Sequence, residues 1–189
     1  MIDFDALAVN TNDTALLIID IQEKLAPAIV DQESIIAKTA ALVQIASAME
    51  LPILVTEQYP RGLGATVPAL RELLDQAPSV CGKFEKMAFS ACTSEVMDAL
   101  KATGRRKVII TGMETHVCVF QTVRALQADG FQCFLARDAV GSRTMANRDN
   151  GFDLIKACGG VISNVETLLF DLLQEAGTPL FKQLSKLIK

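Results

Sequence analysis

The sequence predicts an α/β fold built on a doubly wound, mostly parallel sheet, and three observations carry this. Short aliphatic runs alternate with helix-period segments along all 189 residues, the pattern of strands joined by crossover helices. Half of the residues are hydrophobic, yet only 5% are aromatic and none is Trp. The core is therefore Leu, Ile, Val and Ala, as in sheets covered by helices on both faces. The joints are short, with no linker, repeat or low-complexity stretch, so one domain over residues 1–189 is expected.

The elements follow in order. Ala15-Leu16-Leu17-Ile18-Ile19 is a buried strand closed by the carboxylate of Asp20. Residues 34–50 set Ile36, Ala40, Val43 and Ser47 on a helical period. Pro52 precedes a strand at 53–56. Residues 66–74 form a short helix with Pro68 in its first turn, where its missing N–H is tolerated. A weak strand lies near 79–81. The helix at 93–103 stops at Gly104. A strand at 107–112 leads to a helix at 117–128, which closes at Gly130. A strand at 132–136, a helix within 143–158, a short strand at 161–163 and helices at 166–175 and 179–188 complete the chain.

Charge and composition exclude several classes. The 18 basic and 22 acidic residues give a net charge of −4, whereas a nucleic-acid binder carries a basic face. The densest cluster, Arg105-Arg106-Lys107, reads as a solvated turn. No apolar run approaches the roughly 20 residues of a membrane span. The start, Met1-Ile2-Asp3-Phe4-Asp5, is acidic and lacks a signal peptide's basic region. The five cysteines are scattered without a Cys-x-x-Cys pair, which fits a reducing, cytoplasmic setting. Cys81, Cys92, Cys133 and Cys158 read as small buried hydrophobes.

In a doubly wound sheet, sites form beyond the carboxyl ends of the strands. Asp20 and the loop 112–118 both lie at such ends. Cys118 opens a helix directly after a strand, where a positive helix end lowers a thiol's pKa and favours a nucleophile. Asp20 is either a helix cap or a proton acceptor. Lys83 and Lys86, between the third strand and the next helix, are surface lysines unless one of them stabilises carboxylate and thiolate together. Tyr59, Phe84 and Phe89 line an apolar pocket or belong to the core. His116 is the only histidine. It cannot build a His-rich zinc site alone, so no metal is expected and it reads as packing or lining near Cys118. Gly62-Leu63-Gly64-Ala65-Thr66-Val67 lacks the third glycine of a dinucleotide fingerprint, and Gly82-Lys83-Phe84 lacks the Ser or Thr of a phosphate loop. No cofactor is expected. Residues 137–143 form either a salt-bridged loop or a pocket wall.

Five separated pieces add a resemblance. They are Leu17-Ile18-Ile19-Asp20-Ile21-Gln22, Thr56-Glu57-Gln58-Tyr59-Pro60-Arg61-Gly62-Leu63-Gly64, Lys86-Met87-Ala88-Phe89-Ser90-Ala91, Gly112-Met113-Glu114-Thr115-His116-Val117-Cys118-Val119 and Asp138-Ala139-Val140-Gly141-Ser142-Arg143. In order and spacing the chain resembles the isochorismatase-like cysteine hydrolases, relatives of the nicotinamidases, and most of all their isochorismatase-domain branch. The resemblance implies a three-layer α/β/α, Rossmann-like fold with a mainly parallel six-stranded sheet. It implies an Asp–Lys–Cys triad of Asp20, Lys86 (through Lys-x-x-Phe-Ser) and Cys118. It further implies a non-prolyl cis peptide near Thr115, His116 and Val117, and an oxyanion hole from the N–H groups of Val117 and Cys118. Gln22, Tyr59, Phe89 and His116 are expected around a small-molecule substrate.

The activity implied is cleavage of a small amide or related C–N bond through a thioester, in a homo-oligomer of two or more subunits. Isochorismate hydrolases of the family act on a vinyl ether and lack the cysteine, so Cys118 counts against that chemistry. Nicotinamidases carry a metal site of an Asp and two His, which one histidine cannot supply. A binding scaffold that kept the shell, vinyl-ether hydrolysis and a nucleic-acid enzyme are the alternatives.

Overall fold

The computed structural model describes residues 4–188; Met1, Ile2 and Asp3, part of the acidic start read above, lie outside the described residues. The elements are β1 (Thr14–Ile19), α1 (Gln32–Ala48), β2 (Ile53–Gln58), α2 (Pro60–Leu63), α3 (Pro68–Gln76), β3 (Val80–Lys86), α4 (Ser94–Ala102) and β4 (Lys107–Met113). A π-helical turn at Thr115–Val119 follows, then α5 (Phe120–Ala128), β5 (Gln132–Gly141), α6 (Met145–Ala157), β6 (Val161–Ser163), α7 (Val165–Leu173) and α8 (Pro179–Leu184). The six strands run parallel in the order β3-β2-β1-β4-β5-β6. Strand order reverses between β1 and β4, so the crevice of a doubly wound sheet opens above their carboxyl ends.

The continuous apolar run of β1 has a physical reason. Leu16 and Ile18 face one layer with α1, α3 and α7, while Ala15, Leu17 and Ile19 face the other with α4, α5 and α6. Both faces are covered, so all six residues of β1 are buried. Each large aliphatic side chain so buried contributes about 1.5–3 kcal/mol. α1 turns Ile35, Thr39, Leu42 and Ala46 inward; Leu42→Ala would cost about 2–5 kcal/mol through lost burial and the cavity left behind. Side chains of Thr93, Thr144, Asn164 and Thr178 accept the first free N–H groups of α4, α6, α7 and α8, which fixes where those helices begin.

Three expectations change. The third strand extends to Lys86, so Lys83 and Lys86 lie within it. β3 is a sheet edge whose outward residues Cys81, Lys83 and Glu85 are exposed, and that polar alternation masks a strand in the sequence. For the same reason Cys81 is exposed rather than buried; Cys133 is buried, and Cys92 and Cys158 are intermediate. Cys118 sits in the π-helical turn ahead of α5 instead of inside a regular helix. Among the described residues, no helix is long and apolar enough to cross a membrane.

Candidate active site

Asp20 leaves β1 in left-handed backbone, with φ 54°, and its side chain is fully buried. Its N–H donates to the Thr56 carbonyl on the adjoining strand (3.1 Å). The Thr56 hydroxyl donates to Oδ1 at 2.8 Å, and Lys86 Nζ donates to Oδ2 at 2.6 Å. Lys86 closes β3, two strands away, and its ammonium also reaches Gln58 Oε1 (2.8 Å) and the carbonyls of Ala88 (3.2 Å) and Phe89 (3.1 Å). A buried ion pair persists only where further hydrogen bonds offset its desolvation, and both partners here have them.

Cys118 reaches the same point from β4. Gly112 pairs with Ile19 at the end of β1. A Cβ there would lie 2.0 Å from the Ile19 carbonyl oxygen, and φ is 136°, so only glycine lets the two strand ends close beside Asp20. The chain then passes a cis peptide between Met113 and Glu114, two residues ahead of the expected Thr115–Val117 position. The N–H groups of Val117 and Val119 both donate to the Glu114 carbonyl (3.0 and 3.2 Å). Val117 N–H, expected to face an oxyanion, is therefore already engaged. Gly151 of α6 packs against this turn, where a Cβ would meet His116 N and Thr115 C at 2.9 Å. Thr122 ties the turn down by donating to the Cys118 carbonyl (2.6 Å) and accepting from Ala91 N–H (2.8 Å).

The electrostatics reverse one expectation. Burial, and after it the Asp20 carboxylate, push the Cys118 thiol up to about 12, with Lys86 opposing. Burial likewise raises Asp20, against Lys86, Thr56 and Cys118. A helix end was expected to lower the thiol, but desolvation and a facing carboxylate outweigh it. The resting site thus holds a protonated thiol within hydrogen-bonding reach of a carboxyl that is a stronger base than usual.

Asp20, Gln58, Glu114 and Cys118 line one cavity of about 110 Å³, closed by Leu25, Leu63, Phe89 and Val117. Phe89 is therefore where the sequence suggests, while Gln22, Tyr59 and His116 stand outside this wall. Gln22 is fully buried. Its Oε1 accepts from Gln58 N–H (2.7 Å), and its Nε2 donates to the carbonyls of Gln58 (3.0 Å) and Gly64 (2.6 Å). Tyr59 precedes α2 with φ 38° and a half-exposed ring. His116 Nδ1 pairs with Ser142 Oγ at 3.0 Å. Lys83 bonds exposed Asp75 and takes no part. Among the described residues, no three His, Cys, Asp or Glu side chains converge as metal ligands.

Thr56, Gln58 and Glu114 went unnoticed as single site residues. Parallel pairing of Ile19 with Thr56 is the signal for the first two, since neighbouring strand ends share one rim. Glu114 accepts from Arg143 N–H (2.9 Å) and Nε (3.2 Å); of the segment 137–143, residues up to Gly141 extend β5 and none lines the cavity, so it bears ion pairs and only Arg143 reaches a wall residue.

A parallel α/β sheet with a buried Asp–Lys pair and a cysteine at its switch point defines a class of candidate hydrolases. Residues 14–167 match the Isochorismatase domain family, and the chain belongs to that family, whose members are generally hydrolases. It is 37% identical over 180 residues to the secreted isochorismatase effector Isc1 of Phytophthora sojae, covering 94% of this chain and 85% of the relative. The solved MAR1 ribonuclease of Caenorhabditis elegans superposes with TM-score 0.88 at 35% identity, covering 96% of this chain and 92% of that one. YcaC from Pseudomonas aeruginosa, solved with hexane-2,5-diol and covalent acrylamide, superposes with TM-score 0.83 at 26% identity, over 96% and 95%.

Proposed function

We propose that this protein is a cysteine hydrolase of a small amide or related carbon–nitrogen bond, with Cys118 as nucleophile, Asp20 as proton carrier and Lys86 as the fixed cation. The observation that carries the reading is the 2.6 Å Lys86–Asp20 pair opening onto the same small cavity as the Cys118 thiol. Asp20 takes the thiol proton as sulfur attacks the carbonyl carbon. The oxyanion develops at the turn, where Cys118 N–H is the donor; Val117 N–H would first have to release Glu114. As the C–N bond breaks, Asp20 returns the proton to the leaving nitrogen and a thioester remains. Water then attacks the thioester as Asp20 accepts its proton; the C–S bond breaks, Asp20 returns that proton to sulfur, and the acid leaves with thiol and carboxylate restored.

The raised Asp20 suits both proton transfers, because a carboxyl with a pKa nearer to working pH both accepts and donates readily. Lys86, held in place by four acceptors, fixes the Asp20 carboxyl through Oδ2 and leaves its other oxygen to Thr56 and the thiol side of the site. The ribonuclease relative raises RNA as a substrate, but the net charge of −4 and a 110 Å³ cavity count against it.

The deciding experiment is a primary-amide panel read by ammonia release and by the mass of an acylated Cys118 peptide. Cys118→Ala should abolish both signals; turnover that survives it overturns the reading. A homo-oligomer in the cytoplasm completes the proposal. Exposed Met87 and Phe89 beside the cavity mouth support self-association, and light scattering at the 20.4 kDa of a monomer would refute it.

A further inference from the structure

We propose that the site selects uncharged substrates and excludes carboxylates, and that it buries no more than about a ring's worth of atoms. This rests on the cysteine-hydrolase reading and specifies its substrate class. The first support is the charge of the wall. Of the cavity's four polar residues, Asp20 and Glu114 are acidic. The cations near them are already engaged. Lys86 Nζ has four acceptors, and Arg143 holds Glu114 through its main-chain N–H and its Nε. A substrate carboxylate entering here would leave water and face the Glu114 carboxylate, with Lys86 held by its four acceptors and only the outer N–H groups of the exposed Arg143 side chain left to answer it. Such like-charge juxtaposition is how sites reject a wrong ligand.

The second support is polar occupancy. Gln58 Oε1 accepts from Lys86, and its Nε2 donates to the Met87 carbonyl (2.9 Å). Both ends of the Gln58 amide are thus already held, and apart from the Cys118 N–H and thiol the site would recognise its substrate mainly by fit against Leu25, Leu63, Phe89 and Val117. The third support is size. A cavity of about 150 Å³ holds benzene, and this one is about 110 Å³.

Two alkylating reagents of nearly equal shape test the charge. Iodoacetamide and iodoacetate differ in an amide against a carboxylate, and both are run on the whole native protein with peptide mass mapping. Cys81, exposed on β3, is the internal reference. Because a ratio of reagents is read, the protonation state of each thiol cancels. The amide-to-acid rate ratio at Cys118 should exceed that at Cys81 by about tenfold or more, as expected for an uncompensated charge near a carboxylate in a partly dehydrated site. Glu114→Gln removes the facing charge and frees Arg143, so it should bring the Cys118 ratio down toward that of Cys81. N-phenyl iodoacetamide should lag behind iodoacetamide at Cys118 but not at Cys81.

Equal ratios at the two cysteines, or parity of the phenyl reagent, would overturn the proposed selectivity and leave Cys118 as nucleophile intact. Labelling of Cys81 with none at Cys118 by any reagent would instead overturn the hydrolase reading, and the selectivity with it.

Discussion

Gln22 holds both backbone polar groups of Gln58: its Oε1 accepts the N–H at 2.7 Å, and its Nε2 donates to the carbonyl at 3.0 Å. Gln58 in turn offers its side-chain oxygen to Lys86 at 2.8 Å. A residue expected to touch substrate thus acts one step behind the site, fixing the strand end from which the lysine is held. The same amide also clamps the Gly64 carbonyl (2.6 Å), next to Leu63 of the cavity wall.

Gln22→Leu should therefore lose more than one hydrogen bond. It removes the partner of the N–H and carbonyl of Gln58 and of the carbonyl of Gly64 in a part-buried setting, where each group left unsatisfied costs about 1–3 kcal/mol. Urea denaturation should report a loss of about 3 kcal/mol or more. A loss below about 1 kcal/mol would mean that the bonds are replaced by water.

The Asp20–Lys86 pair should respond to single and double substitution in opposite ways. Lys86→Met leaves a buried carboxyl without its cation, and breaking one half of a buried pair costs about 3–5 kcal/mol. In the double variant Asp20→Asn, Lys86→Met no charge remains to be stranded, so it should be more stable than the sum of the single losses predicts. A double-mutant cycle on denaturation midpoints measures this; strict additivity would show that the two side chains do not depend on each other.

Much of this was legible in the sequence, for physical reasons. β1 and β4 announce themselves because both faces are covered and every residue must be apolar. β3 was cut short because an edge strand shows one face to water, and Lys83 and Glu85 look like loop residues. Asp20 and Cys118 stand out in the sequence as candidates at strand ends, whereas Lys86 is singled out only by the family resemblance. The supporting side chains Thr56, Gln58 and Glu114 were not legible, because their role depends on contacts between residues 28 or more positions apart, as Gln58 with Lys86 and Thr56 with Asp20 illustrate. Burial of the thiol also lay beyond the sequence. A helix end suggests a lowered pKa, and only the packed cavity reveals that desolvation wins.

Gly112 should tolerate no side chain. Alanine there would place Cβ 2.0 Å from the Ile19 carbonyl oxygen at φ 136°, against backbone that cannot yield without parting β1 from β4. Gly112→Ala should lower stability by about 3 kcal/mol or more, while Gly104→Ala, whose Cβ meets nothing within 4 Å at φ 71°, should cost only the roughly 1 kcal/mol of a left-handed alanine. Equal losses in the two variants would refute the close approach of the strand ends at the site.

The pH dependence of stability should carry the mark of Cys118. Its thiol is pushed up to about 12 in the folded protein, against about 8.5 for an unperturbed cysteine. Between these values the folded state keeps a proton that the unfolded chain has released, so it binds more protons and stability falls as pH rises. The contribution is whole below about pH 8.5 and is lost progressively toward pH 12. Each pH unit within that window costs at most about 1.4 kcal/mol per group. Cys133, also raised by burial, acts in the same direction, but it is present in wild type and in Cys118→Ala and cancels on comparison. The variant's stability should therefore decline less steeply than wild type between pH 8.5 and 10.5 in urea titrations. Parallel declines would mean that the thiol titrates in the folded protein as it does in the unfolded chain. The proton that Asp20 is proposed to collect would then already be absent in mild alkali, and the site would rest as a thiolate.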